Sequence, residues 1–136
     1  MEDPEYLVNP PVTRRQLNDL FAASWDGHEW SDFEMVLGRS LGYVCAYLGG
    51  ELIGFVKLAW DGGSHAFILD TTVHPDVRRR GIGRRLVRLA VEVAEQGQVE
   101  WVHVDFEPRL RRFYQECGFR HTEAGLLRLA KPRKGR

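Results

Sequence analysis

The segment from Val73 to Leu86 constrains the fold more than any other part of the sequence, because it joins a strand to a helix through an arginine- and glycine-rich turn. An apolar strand ends near Val73, a Pro-Asp turn follows, and Gly81 and Gly83 fall where an amphipathic helix begins. A helix N-terminus carries unpaired backbone N–H groups and the positive end of the helix dipole. Glycines at that point let an anion approach the backbone closely. The segment therefore predicts a binding site for a phosphorylated ligand.

Four other interpretations of this segment remain open or are excluded by its residues. It lacks the Lys-Ser/Thr ending of a P-loop, and Leu86 stands where a dinucleotide-binding fingerprint has its third glycine. The arginines could form a solvated basic face, or a nucleic-acid patch, although few aromatic residues are interleaved with them. The arginines concerned are Arg78, Arg79, Arg80, Arg84 and Arg85.

The composition indicates one domain of a globular protein, covering residues 1–130, followed by a basic and disordered tail at 131–136. The 136 residues carry 19 basic and 19 acidic side chains, so no overall field favours nucleic acid or membrane. No apolar run reaches membrane-spanning length and no signal peptide is evident, which predicts the cytoplasm. Cys45 and Cys117 are expected to be reduced, and the histidines lack the spacing of a metal site.

Hydrophobic periodicity predicts helices and strands in alternating groups. Thr13 and Gln16 form a capping box that opens a helix ending near Ser24. Ser31 and Glu34 repeat this spacing at the start of a second helix predicted at 31–39. The remaining predicted elements are strands at 6–8, 43–48, 51–60, 65–73 and 100–106, helices at about 80–96 and 108–116, and a last hairpin at 119–122 and 126–130.

This order predicts an α/β (α+β) fold with a mixed, mostly antiparallel central sheet flanked by helices. The strand–helix–strand unit at 65–106 allows its two strands to lie parallel.

The motifs in this layout resemble those of the GNAT superfamily of acyl-CoA-dependent N-acyltransferases. Arg78, Gly81 and Gly83 match the family's Gln/Arg-x-x-Gly-x-Gly/Ala motif. An independent segment, Phe113–Phe119, matches its Phe/Leu-Tyr-x-x-x-Gly-Phe pattern. The two motifs and their strands cover roughly residues 43 to 130, in the family's order.

The resemblance implies acetyl-CoA as the cofactor, bound in a cleft where two parallel strands splay apart. Its pyrophosphate would lie on the turn and helix start, and its pantetheine arm would pair with the edge of the preceding strand, because an amide-bearing ligand can complete an open ladder. The implied contacts are Thr71, Thr72, Val73, Arg78, Arg79, Arg80, Gly81, Ile82, Gly83, Arg84, Phe113 and Tyr114.

The resemblance also makes Tyr114 the candidate for protonating the departing thiolate, against a purely packed tyrosine. Glu107 stands where the family often has an asparagine, which puts one polar contact in doubt. Candidates for the general base are Asp70, Asp105 and His103, each of which could instead belong to a buried polar pair. Deprotonation through water, without an essential base, is also open.

The loop between the first two helices is the candidate substrate surface. It mixes aromatic rings with acidic groups, which suits a cationic amine through cation–π and charge contacts, although a packed interhelical turn would use the same residues. The predicted substrate contacts are Trp25, Glu29, Trp30, Phe33 and Trp60.

The sequence thus predicts an N-acetyltransferase acting by direct transfer on a small-molecule or peptide amine, with no nucleic-acid or membrane partner. The rival functions are a non-catalytic acyl-CoA-binding module and a nucleic-acid binder. A homodimer formed through the terminal hairpin is a further expectation from the family resemblance.

Overall fold

The computed structural model describes residues 2–130, and the predicted tail at 131–136 lies outside them. The helices and strands follow one another in an order close to the predicted one. They are β1 (Glu5–Val8), α1 (Arg14–Ser24), α2 (Glu34–Arg39), β2 (Gly42–Leu48), β3 (Glu51–Trp60), β4 (His65–Val73), α3 (Ile82–Gln96), β5 (Trp101–His103) and α4 (Arg111–Glu116), with short 3₁₀ turns at Pro75–Val77 and Pro108–Leu110. The chain divides into two compact units, one up to Val104 and one from Asp105 onward.

The strands form one five-stranded sheet in the order β1-β2-β3-β4-β5. The first four strands pair antiparallel, and β4 and β5 pair in parallel. Gly49 and Gly50 form the hairpin turn between β2 and β3, both with positive φ (58° and 81°), as a two-residue turn of this kind requires. The predicted mixed, mostly antiparallel sheet flanked by helices is confirmed.

Helices α1 and α3 pack on opposite faces of the sheet. On one face, Gly54 of β3 lies against Ile82 and Leu86 of α3. On the other, the ring of Phe21 in α1 meets Phe55 of β3 with centroids 5.7 Å apart. Because side chains alternate along a strand, neighbouring residues of β3 serve the two faces. The core cluster on the α1 face comprises Leu17, Leu20, Phe21, Phe33, Cys45, Leu52 and Phe55.

The two predicted helix starts differ in outcome. The capping box of α1 is confirmed: Gln16 N–H donates to Thr13 Oγ1 at 3.1 Å, and Thr13 N–H donates to Gln16 Oε1 at 2.8 Å. The second box is wrong, because α2 begins at Glu34 and Asp32 Oδ1 accepts the Glu34 N–H at 3.0 Å. Ser31 is instead held from α1, as described below.

The second unit contains α4 and an extended segment. Residues 119–130 contain neither helix nor strand, so the predicted hairpin is wrong, and the expected dimer contact lacks the element on which it depended. Leu126 and Leu127 are each 86% exposed. A hairpin without a further strand beside it is marginal in water, and the described part of this unit contains no such strand. Strand β5 is also shorter than predicted. None of the described helices is both long and apolar enough to cross a bilayer.

Candidate active site

The parallel strands β4 and β5 part soon after they meet. Their pairing runs from His65↔Trp101 to Phe67↔His103, and the six residues of β4 from Ile68 to Val73 have no paired partner on β5. This leaves a strand edge whose backbone N–H and C=O groups are open to a ligand on one side. The predicted cleft for a cofactor arm begins at this split.

A β-bulge re-aims β4 within the open edge. Lys57 pairs with Leu69 and Phe55 pairs with Thr72, so Asp70 and Thr71 together oppose one residue of β3. Asp70 adopts the left-handed conformation, with φ 58°. Left-handed backbone at a residue other than glycine is uncommon and costs about 1 kcal/mol or more. Such strain tends to be kept at functional positions, and here it lies inside the predicted cofactor edge.

Asp70, a candidate base, is paired across the sheet with Lys57. Lys57 Nζ lies 2.9 Å from Asp70 Oδ2, and the two side chains are 12% and 32% exposed. The backbone carbonyl of Asp70 also accepts a hydrogen bond from Thr72 Oγ1 at 2.9 Å. Asp70 is therefore fixed in position and its charge is balanced, which favours the structural alternative for this residue.

The side-chain hydroxyl of Thr71 is buried and could accept or donate a hydrogen bond to a ligand. Among the buried side-chain oxygens and nitrogens of the described residues, Thr71 Oγ1 is the one without a hydrogen-bond partner. A buried hydroxyl without a partner costs roughly 1–3 kcal/mol. A bound amide beside this edge would remove that cost.

The turn after β4 has the shape expected of a phosphate site. Arg79 and Gly81 both have positive φ, 65° and 79°. Successive N–H groups in such turns form concavities that bind anions. Helix α3 then begins at Ile82, two residues later than predicted, and no side chain caps its first turn. The unpaired backbone N–H groups of this first turn, including that of Gly83, are therefore available to a ligand at the N-terminus of α3.

The arginines of the turn are partly engaged by the protein itself. Arg78 Nε donates to the carbonyl of Val73 at 3.2 Å, and Arg80 donates to the carbonyl of Glu2 at 3.1 Å. The guanidinium of Arg85 lies 5.8 Å above the ring of Tyr6. Arg79 and Arg84 are exposed. The backbone N–H groups of the turn, more than its guanidinium groups, are thus arranged as an anion site would require.

The loop between α1 and α2 is held by one buried side chain, Asn18, which is 2% exposed. Asn18 Nδ2 donates to the carbonyls of Arg14 and Ser31, both at 2.8 Å. Asn18 Oδ1 accepts the Ser31 N–H at 2.9 Å and lies 2.8 Å from His28 Nε2. This side chain fixes the loop to α1 through both backbone groups of Ser31 and the ring of His28.

The predicted substrate residues fall into three different environments. Trp25 stacks on Phe21 with ring centroids 4.5 Å apart, on the α1 face of the sheet, while Glu29 and Trp30 are exposed. Phe33 is buried in the core cluster, so its ring serves the fold. Trp60 was expected to join the loop surface. It pairs with Ala66 and, by alternation from Phe55, lies on the α3 face.

A histidine pair stands at the root of the split. His65 Nδ1 and His103 Nε2 are 2.8 Å apart, and the ring of His103 stacks on Phe67 with centroids 4.5 Å apart. These residues share one face, the face on which Lys57 lies, because paired residues on neighbouring strands project to the same side. His103 was a predicted base candidate, and its partner His65 was not.

Tyr114 is buried within the second unit, in a cluster of rings. Its ring stacks on Phe106 with centroids 4.9 Å apart and meets Phe113 and Phe119 edge-on. Asp105 is exposed. The motif residues around Tyr114 therefore fix the orientation of its ring.

Sequence reasoning missed Lys57, Asn18 and His65. Lys57 interrupts the apolar strand Leu52–Trp60, and Asn18 interrupts the apolar stripe of α1. A polar residue at an otherwise buried position needs a partner, so both positions carried a signal. His65 offered no such signal, because it lies at the end of a strand.

Comparison with known proteins agrees with this geometry. Residues 12–119 match the model of the acetyltransferase (GNAT) family. The chain belongs to the acetyltransferase (GNAT) family.

One curated relative matches most of this chain but extends well beyond it. A mycothiol acetyltransferase from Mycolicibacterium vanbaalenii is 34% identical over 108 residues, covering 74% of this chain and 35% of that protein. The chain thus spans about a third of that relative.

Two solved structures share the fold across nearly the whole chain. A GNAT family acetyltransferase from Streptococcus pneumoniae superposes with a TM-score of 0.79 at 23% identity, covering 96% of this chain and 100% of that one. The aminoglycoside acetyltransferase AAC(6')-Iy, in complex with a bisubstrate analogue, gives a TM-score of 0.77 at 19% identity, with the same coverage.

Proposed function

We propose that this GNAT domain is an N-acetyltransferase that moves an acetyl group from acetyl-CoA to a primary amine of a small molecule or an exposed amino group. The observation that carries the proposal is the open edge of β4 running directly into the Arg79–Gly81 turn and the uncapped start of α3. One end of this path suits an amide-bearing arm and the other suits phosphates.

The residues along this path fit acetyl-CoA. The unpartnered Thr71 hydroxyl and the edge of β4 at Thr72 and Val73, which β5 does not cover, would hold the pantetheine arm. The turn and the first N–H groups of α3 would hold the pyrophosphate, with the exposed Arg79 and Arg84 beside it. When bound, acetyl-CoA supplies an acetyl group already activated as a thioester.

The chain's own residues would supply binding and proton transfer. The loop fixed by Asn18 would receive the acceptor, with Trp25, Glu29 and Trp30 suited to a cationic amine. Tyr114 would provide a proton to the leaving sulfur, as the family motif implies. Burial raises the pKa of the Cys45 thiol to about 12, so Cys45 stays neutral and is no nucleophile. This supports direct transfer in a ternary complex, and we expect the enzyme to work in the cytoplasm.

A charge test at Gly83 examines where the cofactor lies. In the Gly83→Asp variant a carboxylate at the start of α3 should oppose the pyrophosphate and weaken CoA binding on the order of tenfold, about 1.4 kcal/mol. The Gly83→Asn variant has nearly the same shape without the charge and is the matched control. Calorimetric titration with CoA should separate the two variants. Equal affinities would show that the phosphates bind elsewhere.

Turnover separates an enzyme from the rival functions. A panel of primary amines assayed by thiol release should show acetylation by the wild-type protein. Tight CoA binding without turnover of any amine would favour an acyl-CoA-binding module. Salt-sensitive binding to RNA or duplex DNA that CoA does not displace would favour the nucleic-acid binder.

A further inference from the structure

We propose that His65 and His103 form a two-imidazole proton relay that takes a proton from the acceptor amine at His103 and releases it to water from His65. This rests on the proposed transferase function and adds His65 to the machinery.

The position of the pair places it where the reaction would occur. Phe67↔His103 is the last paired register before β4 and β5 part, so His103 stands at the root of the split. If the pyrophosphate of acetyl-CoA lies at the start of α3, its pantetheine arm runs along β4 from Val73 towards Ile68. The thioester end of the arm then approaches the point where β4 and β5 separate. The ring of His103 is exposed and is held against Phe67, with an angle of 23° between the ring planes. A base at this point faces the acceptor side of the sheet.

The short contact within the pair restricts the protonation states of the two rings. A separation of 2.8 Å between His65 Nδ1 and His103 Nε2 requires one proton between them. With two neutral rings, the ring that donates this proton has a bare outer nitrogen, and the other ring carries N–H on its outer nitrogen. While both rings are neutral, the pair therefore presents one acceptor and one donor at its ends.

The relay conserves protons at each step. The pair starts with His103 Nε2–H donating to His65 Nδ1, so His103 Nδ1 is bare and His65 carries Nε2–H. The N–H bond of the acceptor ammonium breaks and its proton joins His103 Nδ1. The inner proton moves to His65 Nδ1, and the proton of His65 Nε2 leaves to water. One proton has passed from the amine to solvent, and exchange with water restores the starting tautomers.

The charged groups around the pair are compatible with this role. Asp61, in the turn before β4, accepts the His65 backbone N–H through Oδ1 at 3.3 Å and places a carboxylate near the pair. Glu51 opens β3, and Glu100 and Asp105 flank β5 in the chain, so these carboxylates are also charged groups of the neighbouring elements. Other charged side chains of these elements and of α1 are matched with one another. These matched pairs are Lys57 with Asp70, Arg14 with Asp32, and Arg15 with Asp19.

Two ring-preserving variants test the relay. His65→Phe and His103→Phe keep an aromatic ring but remove the nitrogens, and His121→Phe, at an exposed histidine in the second unit, is the matched control. We expect His103→Phe to lower kcat on the order of 100-fold, as for loss of a general base, with little change in the KM for acetyl-CoA. His65→Phe should lower kcat less and should shift the acidic limb of the pH–rate profile. The control should match wild type.

A measurement without turnover examines the pair directly. Nitrogen-15 spectra of the histidine rings in the resting protein should show one ring nitrogen of His65 and one of His103 sharing a proton, and His65→Phe should abolish that signature. Absence of the shared proton would overturn the relay. Wild-type kcat and an unchanged pH profile in both variants would also overturn it, while leaving the transferase function intact. A wild-type protein inactive toward every amine would remove the transferase function and the relay together.

Discussion

Gly54 lies against the first turns of α3, and a single methyl group there should affect the proposed phosphate site at the start of α3. A Cβ at this position would lie 3.0 Å from Leu86 Cδ1, 3.1 Å from Ala46 Cβ and 3.3 Å from Ile82 Cγ2. Carbon atoms pack best about 3.5–4.0 Å apart, so these neighbours must give way, and we expect α3, which carries Leu86 and Ile82, to move outward by a fraction of an ångström. Ala46 cannot rotate away, because it has no side-chain torsion. Overpacking of this kind costs about 1–3 kcal/mol.

The matched control is a clash of the same kind at the far end of the same helix. A Cβ at Gly42 would lie 2.9 Å from Val93 Cγ1 and 3.2 Å from Asn9 Oδ1. Ile82 opens α3, whereas Val93 lies about 16 Å farther along its axis at 1.5 Å per residue. Gly42→Ala should therefore destabilise the protein by a similar amount without moving the first N–H groups of α3.

Two measurements distinguish these effects. Urea unfolding should show a loss of about 1–3 kcal/mol in both variants. Calorimetric titration should show weaker CoA binding in Gly54→Ala and wild-type affinity in Gly42→Ala. Equal affinities in the two variants would refute the link between packing at Gly54 and the phosphate site. A change in stability below about 0.5 kcal/mol in Gly54→Ala would refute the packing argument itself.

Three further predictions concern backbone, burial and charge. Gly81→Ala should cost about 1 kcal/mol in urea unfolding from its left-handed φ alone, because nothing lies within 4 Å of the new Cβ, and Gly38→Ala in α2, equally open, should instead be neutral or stabilising. Cys45, whose pKa burial raises to about 12, should resist iodoacetamide at pH 8 until the protein is unfolded, as peptide mass spectrometry would show; labelling in the native state would contradict its burial. The Gly63 N–H lowers the pKa of Asp61 below 3.8, so its ionised form adds stability above that pH that is lost as the pH falls through the folded value. Asp61→Asn should therefore be less stable than wild type at pH 6 and approach it in acid, and a gap independent of pH would contradict this.

Local signals predicted the elements whose partners are close in sequence. Thr13 and Gln16 predicted the start of α1, and the Gly49–Gly50 pair predicted the hairpin between β2 and β3. Both signals depend only on residues a few positions apart. The same box at Ser31 was wrong because Asn18, thirteen residues earlier, binds both backbone groups of Ser31. A local sequence pattern cannot reveal a contact between residues thirteen positions apart, and here that contact takes the backbone groups that a helix cap at Ser31 would need.

The sequence predicted which backbone segments form the candidate site, but it did not predict which side chains pair with one another there. The glycines and arginines after β4 marked the turn, because the backbone shapes they allow are narrow. No local sequence pattern indicated the β-bulge at Asp70, because a bulge depends on the register between β4 and β3. The pairing of Asp70 with Lys57, and of His65 with His103, depends in the same way on strand register.

The attachment of the loop between α1 and α2 to Asn18 has a consequence for how the proposed acceptor preference could change. The loop is anchored by main-chain atoms of Ser31 and by His28, whereas Trp30 is 63% exposed. Replacing the Trp30 side chain would change this exposed surface while the contacts of Asn18 with the loop remain. If the loop receives the acceptor as proposed, acceptor selectivity can therefore change by single substitutions at position 30 without a new fold for the loop.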